Sequence, residues 1–145
     1  ASADKKMGRI AAEGLVAASI QADCGAMVEV NCETDFVAKN EEFKELTNGL
    51  AECVAKTNPA DNDALLASTC EKCGKVISEV IKEKIASIGE KITFRRFVRY
   101  EGSTASYIHN GKIGVLLKTD KKDEELMNDI CLHIASSLIK IHDNQ

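Results

Sequence analysis

Glu29-Val30-Asn31-Cys32-Glu33-Thr34-Asp35-Phe36-Val37-Ala38-Lys39-Asn40 carries the chain out of an extended run and into a helix, and the segments on either side of it decide the fold. Upstream, two extended runs, Leu15 to Ile20 and Ala26 to Asn31, are parted by Gln21-Ala22-Asp23-Cys24-Gly25, whose Asp and Gly favour a reversal. This predicts a β-hairpin. At the corner itself stands an Asp-Phe pair, a place from which an aromatic can enter a partner.

Downstream, Phe43, Leu46, Leu50, Cys53 and Val54 recur at helical spacing while most acidic residues fall elsewhere, so an amphipathic helix is expected, ending near Asn58-Pro59. A second helix is expected from about Asp61, its apolar stripe running from Leu65 through Cys73, Val76 and Ile77 to Ile88, with Gly89 as its stop. Strands follow at Ile92 to Tyr100, Ser103 to Ile108 and Lys112 to Lys118, the last two joined by His109-Asn110-Gly111. A final helix is expected from about Lys122 to Lys140, with Leu126, Met127, Ile130, Ile134, Leu138 and Ile141 making its buried face.

The two hairpins share a pattern. Glu13-Gly14 and Ile20 return as Glu101-Gly102 and Ile108; Gly25 precedes an apolar run ending at Thr34-Asp35, and Gly111 precedes one ending at Thr119-Asp120. A structural repeat follows, giving an α+β fold of two related lobes, 1–100 and 101–145, each a small antiparallel sheet packed with helices. The second lobe reads as incomplete, with no counterpart of the strand at Ile92 to Tyr100 and hence an open sheet edge.

Composition restricts function. The 145 residues are 44% hydrophobic, enough for a real core, and contain no run of eighteen apolar residues that would span a membrane. A net charge of -4 argues against broad binding to nucleic-acid phosphates. Arg95, Arg96 and Arg99 form the one basic cluster; strand alternation separates Arg96 from the other two, and they read as solvated charges. Six cysteines lie mostly in apolar periodic segments, which suggests buried free thiols in a reducing compartment, the cytoplasm or an organellar matrix. Cys70 and Cys73 form the only C-x-x-C; His133 and His142 supply no matching second pair, so no metal site is expected, and no cofactor.

The repeat also sorts the corner residues. Thr34 or Asp35 can serve as a helix cap, satisfying orphan amides of the first turn. Phe36, however, corresponds to Lys121 in the second copy, so the unit does not need an aromatic there. Packing into the core of its own lobe is one explanation, and a partner is the other. Three scattered histidines assign no catalytic roles, although Cys32 beside the corner leaves a thiol-dependent enzyme as an alternative.

The segment Val28 to Lys39 resembles the signature of translation elongation factor Ts. Gly8-Arg9-Ile10-Ala11-Ala12-Glu13-Gly14, Ile85-Ala86-Ser87-Ile88-Gly89-Glu90-Lys91-Ile92, Arg95-Arg96, Ser106-Tyr107-Ile108-His109-Asn110-Gly111, Ile113-Gly114-Val115-Leu116 and His133-Ile134-Ala135 fall in the same order as in that family. The resemblance implies a guanine-nucleotide exchange factor for elongation factor Tu, with no covalent chemistry of its own, whose core is two related lobes. It implies that Asp35 and Phe36 enter Tu beside its magnesium site, and that Ile88, Gly89 and His109 occupy further contact positions. A non-exchanging Tu-binding scaffold is the other reading within the family. The family's usual N-terminal helical module, with its Thr-Gly-Ala-Gly-like stretch, does not precede Ala1, and its later segments do not follow Gln145. A core piece is therefore expected, with self-association through the open sheet edge as one way of covering it.

Overall fold

The computed structural model describes residues 13–119 and 136–141. Strands β1 (Glu13–Ile20) and β2 (Cys24–Cys32) form the expected hairpin, paired from Glu13 opposite Cys32 to Ile20 opposite Gly25. Helices α1 (Asp35–Ala38), α2 (Glu41–Thr57), α3 (Asn62–Ala67) and α4 (Ile77–Ile88) come next, before β3 (Thr93–Glu101) returns to pair antiparallel with β2. The second sheet consists of β4 (Ser103–His109), β5 (Ile113–Thr119) and β6 (Ser136–Lys140). Both sheets place the second strand of their three in the middle, β1-β2-β3 and β4-β5-β6.

Burial of β2 organises the molecule, since all nine of its residues are buried. Successive strand residues face opposite sides, so a strand hidden throughout must be covered on both. Cys24, Ala26, Val28, Val30 and Cys32 point into a core shared with Phe43, Leu50, Val54 and Ile77 of the helices. On the opposite face, Met27 joins Val16, Leu116, Ile139 and Ile141, where the second sheet packs onto the first. Gly114 permits the approach: a Cβ there would lie 2.7 Å from a Val16 methyl and 2.8 Å from the Met27 sulfur. Helices, first sheet and second sheet thus form three layers.

Local signals explain the elements that match expectation. Asn40 caps α2, its side-chain oxygen accepting from Phe43 N at 3.1 Å, and Asn58 closes the helix in the left-handed conformation. Gly89 ends α4 at φ 91, as its sequence position suggests. Asn110 and Gly111 both take positive φ, 54 and 71, which suits the two-residue hairpin turn between β4 and β5.

Four expectations are corrected. The long helix from Asp61 is two, because Ser68 turns extended at the end of α3, its hydroxyl donating to Leu65 O at 2.6 Å. A Thr69–Val76 bridge then closes a loop before α4 begins. The apolar stripe ran through this break because Thr69, Cys73 and Val76 keep helical spacing by coincidence. Residues 136–140, expected in the final helix, form strand β6, where Ile139 is buried and its neighbours Leu138 and Lys140 are exposed. The other residues of that expected helix lie outside the described residues, as does Asp120.

Strand β6 also supplies the third strand that the second lobe was expected to lack, so the edge thought open is paired, and the reason to expect a second copy there is removed. Finally, the arginines are engaged rather than merely solvated. A bulge between Glu29 and Val30 shifts the register, and Arg95 and Arg96 both come to Glu29, with Nε atoms 3.8 and 2.6 Å from its carboxylate. Arg99 donates to Ala55 O at 3.0 Å and also pairs with Glu101.

A candidate partner-binding surface

The corner begins with a cap. Thr34 is extended, and its hydroxyl oxygen accepts from Val37 N at 3.4 Å, so Thr34 and not Asp35 closes the first turn of α1. Asp35 instead pairs with Lys39 at 3.3 Å, one helical turn on, with both side chains largely in water. Such a surface pair contributes only about 0.3–0.5 kcal/mol, which leaves the carboxylate available to a stronger partner. Val37 and Ala38 are buried in the helix-side core. They fix the short helix so that Phe36 faces outward.

Phe36 is 87% exposed. It does not pack into its own lobe, so the ordinary explanation for an aromatic fails at this position. A phenylalanine held in water forgoes about 1.5–3 kcal/mol that burial would return.

A reciprocal clasp joins this corner to the end of α4. Glu90 accepts from Glu33 N at 3.1 Å, from Thr34 N at 3.0 Å and from the Thr34 hydroxyl at 2.6 Å. In return the Glu33 carboxylate accepts from Lys91 N at 2.8 Å. Ile88 and Gly89, immediately before Glu90, are thereby held beside Asp35 and Phe36. Ile88 packs partly on the core and Gly89 is exposed. Sequence reasoning missed Glu33 and Glu90 as positioning residues, since no local pattern links acids 57 residues apart.

The second hairpin turn comes to the same end of the molecule. Lys112 donates to the Glu13 carboxylate at 2.9 Å and to Gly14 O at 3.0 Å, and Glu13 pairs with Cys32 just before the corner. Val16 N donates to Gly111 O at 2.8 Å. His109 sits exposed at the start of this turn, its Nε2 3.1 Å from the Asn110 amide nitrogen. All five residues singled out from the sequence, Asp35, Phe36, Ile88, Gly89 and His109, therefore lie on segments tied together by hydrogen bonds.

Thiol chemistry at the corner is not supported. Cys32 is fully buried, its sulfur donating to Thr34 O at 3.3 Å, and burial pushes the thiol up to about 12, with Glu90 adding to the rise. At neutral pH it stays protonated and shielded, unlike a nucleophilic cysteine. Among the described residues no group of three or more His, Cys, Asp and Glu could hold a metal ion, and no helix is long and apolar enough to cross a membrane.

The clasp carries a prediction. Thr34→Ala removes the cap and the shortest bond to Glu90, and is expected to cost about 1–2 kcal/mol in urea unfolding. Thr34→Ser, which keeps the hydroxyl, should recover most of the loss. Equal stability of the alanine and serine variants would show that the hydroxyl contributes nothing.

A family model described as Elongation factor TS matches residues 33–143. The chain is 45% identical over 142 residues to the elongation factor Ts of Alkalilimnicola ehrlichii, covering 94% of this chain and 48% of that protein. It is 46% identical over 136 residues to that of Herminiimonas arsenicoxydans, covering 92% and 46%, and 47% identical over 143 residues to that of Thioalkalivibrio sulfidiphilus, covering 94% and 48%. The chain spans about half the length of the curated relatives it matches. With a family match over most of its length, on two antiparallel three-stranded sheets packed with helices, the chain belongs to the elongation factor Ts family.

Proposed function

We propose that this chain is the core of a guanine-nucleotide exchange factor for elongation factor Tu, and that Asp35 and Phe36 enter the GTPase near its magnesium and nucleotide site. The observation that carries this reading is Phe36, 87% exposed on a corner whose backbone is clasped by Glu90. Rigid, solvent-facing aromatics are suited to act as anchors, because little conformational freedom remains to be lost on binding.

The mechanism needs no covalent step. A factor that binds nucleotide-free Tu better than loaded Tu weakens nucleotide binding by the same factor, by linkage. Inverting a hundred-to-one preference takes a differential of about 5.5 kcal/mol, which a few buried anchors can supply. Phe36 provides the apolar anchor, and Asp35 offers a carboxylate to a polar group exposed as the ring enters. Ile88 and Gly89 extend the contact along the clasped corner, and His109 adds a contact from the second hairpin. The chain acts wherever Tu works, in the cytoplasm or an organellar matrix.

Release of fluorescent GDP from Tu tests the proposal. Added chain is expected to accelerate release until Tu is saturated. Binding without acceleration would reduce the chain to a scaffold, and absence of binding would remove the partner assignment altogether.

A further inference from the structure

Away from the clasped corner, a cavity of about 550 Å³ opens between α2, the loop that separates α3 from α4, and α4 itself. Its apolar floor includes Leu46, Leu50, Ile77 and Val80, and three cysteines line it: Cys53 from α2, and Cys70 and Cys73 from the loop. All three are free thiols; Cys73 is exposed, and Cys53 and Cys70 are half-buried. This differs from the buried, helical placement expected from the sequence.

The Cys70 sulfur is the focus of the loop. The Cys73 amide and thiol hold the Cys70 thiol below the ordinary range, with the Lys72 amide and the Cys53 thiol adding to the effect and burial opposing it. Backbone bonds fix the turn that brings them together: Gly74 N to Cys70 O at 2.8 Å and Cys70 N to Lys75 O at 2.7 Å. Cys53 differs, since burial and the neighbouring Cys70 push its thiol up to about 11. The three sulfurs do not form a metal-holding group. What remains is a thiol held below its ordinary range beside an accessible second thiol three residues on, the arrangement of a reversible dithiol.

We propose that Cys70 and Cys73 form a peroxide-sensitive dithiol, a modification site separate from the partner-binding surface. The Cys70 thiolate attacks one oxygen of a hydroperoxide, forming the S–O bond as the O–O bond breaks and hydroxide (or alkoxide) leaves. Cys70 is now a sulfenic acid. Cys73 sulfur then attacks Cys70 sulfur, the S–S bond forms, the S–O bond breaks, and water departs carrying the Cys73 proton. The peroxide has accepted two electrons, and a dithiol reductant returns the pair to its starting state. Lys72, just before Cys73, pairs through its ammonium with Glu52 at 3.2 Å, so it is its backbone amide that bears on the Cys70 sulfur.

The experiment uses the whole 145-residue chain with hydrogen peroxide as the oxidant, followed by alkylation and peptide mapping without reduction. A disulfide linking Cys70 to Cys73 is expected, with Cys24 and Cys32 recovered as free thiols. In Cys73→Ser the Cys70 sulfenic acid should be trapped by dimedone, and Cys70→Ser should abolish both products. Iodoacetamide at pH 7 is expected to label Cys70 about ten times faster than Cys32. Because both loop cysteines are at least partly exposed, circular dichroism should show the serine variants folded. Equal labelling of Cys70 and Cys32, no dimedone adduct in Cys73→Ser, or a disulfide joining any other pair would overturn the proposal.

Discussion

Phe36→Ala slows chain-stimulated GDP release from Tu roughly thirtyfold at subsaturating chain, corresponding to about 2 kcal/mol of lost anchor energy, if the ring is buried on binding as proposed. The same substitution should change folding stability by less than about 0.5 kcal/mol, because the ring makes little contact within its own chain. That separation is the informative part. An exposed ring can be removed without harm to the fold, so any loss of exchange belongs to the partner contact. Phe36→Leu, which keeps much of the apolar area, should fall between the two. Unchanged release by a folded Phe36→Ala chain would remove Phe36 as an anchor while leaving exchange by other contacts intact.

Glu29→Ala has the opposite signature. The Glu29 carboxylate is 2% exposed at the junction of the sheets, 2.6 Å from Arg96 Nε and 2.9 Å from the Asn31 amide nitrogen that donates to it. Arg96 in turn donates to Lys140 O at 3.2 Å, so the carboxylate orients a side chain that bridges to β6. Removing one partner of a buried pair leaves the others without compensation and a void beside them. Arg96 keeps about a third of its side chain in water, which moderates the penalty. A loss of about 2–3 kcal/mol is expected in the urea midpoint at constant slope. Replacing the pair together, as Glu29→Leu with Arg96→Met, should recover most of it, since apolar side chains of similar volume fill the same space. Equal destabilisation by the single and double variants would show that charge pairing is not the cause.

Much of the architecture was legible because its signals are local. Asn58 marks the end of α2, Gly89 that of α4, and Asn110-Gly111 the second hairpin turn. The break at Ser68 was hidden because a helical period can continue by chance through a loop, and strand β6 because Leu138 and Ile141 suit a helix as well as they suit a sheet. The Arg95 bulge was invisible for a related reason: alternation predicts sides only while the register is unbroken.

The corner shows the same division. Thr34, Asp35 and Phe36 stood out from the comparison of the two hairpins, whereas Ile88, Gly89 and His109 were marked only by family resemblance. What brings them to one surface is long-range: Glu90 reaching Thr34, Glu33 reaching Lys91, and Lys112 reaching Glu13. Carboxylates that bind backbone amides leave no spacing rule in the chain.

The middle strand of the first sheet belongs to two cores at once, and this sets how the chain tolerates change. A strand with one wet face accepts substitutions at every second position, but Cys24–Cys32 has no wet face. A saturation scan there should return an unbroken block of intolerance, against a more permissive record in β4, where Thr104 is the one buried residue and Ser106 and Tyr107 are exposed. A slip of one residue would send the Glu29 carboxylate among the helices and Val28 into the contact between sheets. For this family member, the stretch that leads to the corner is the one least free to drift.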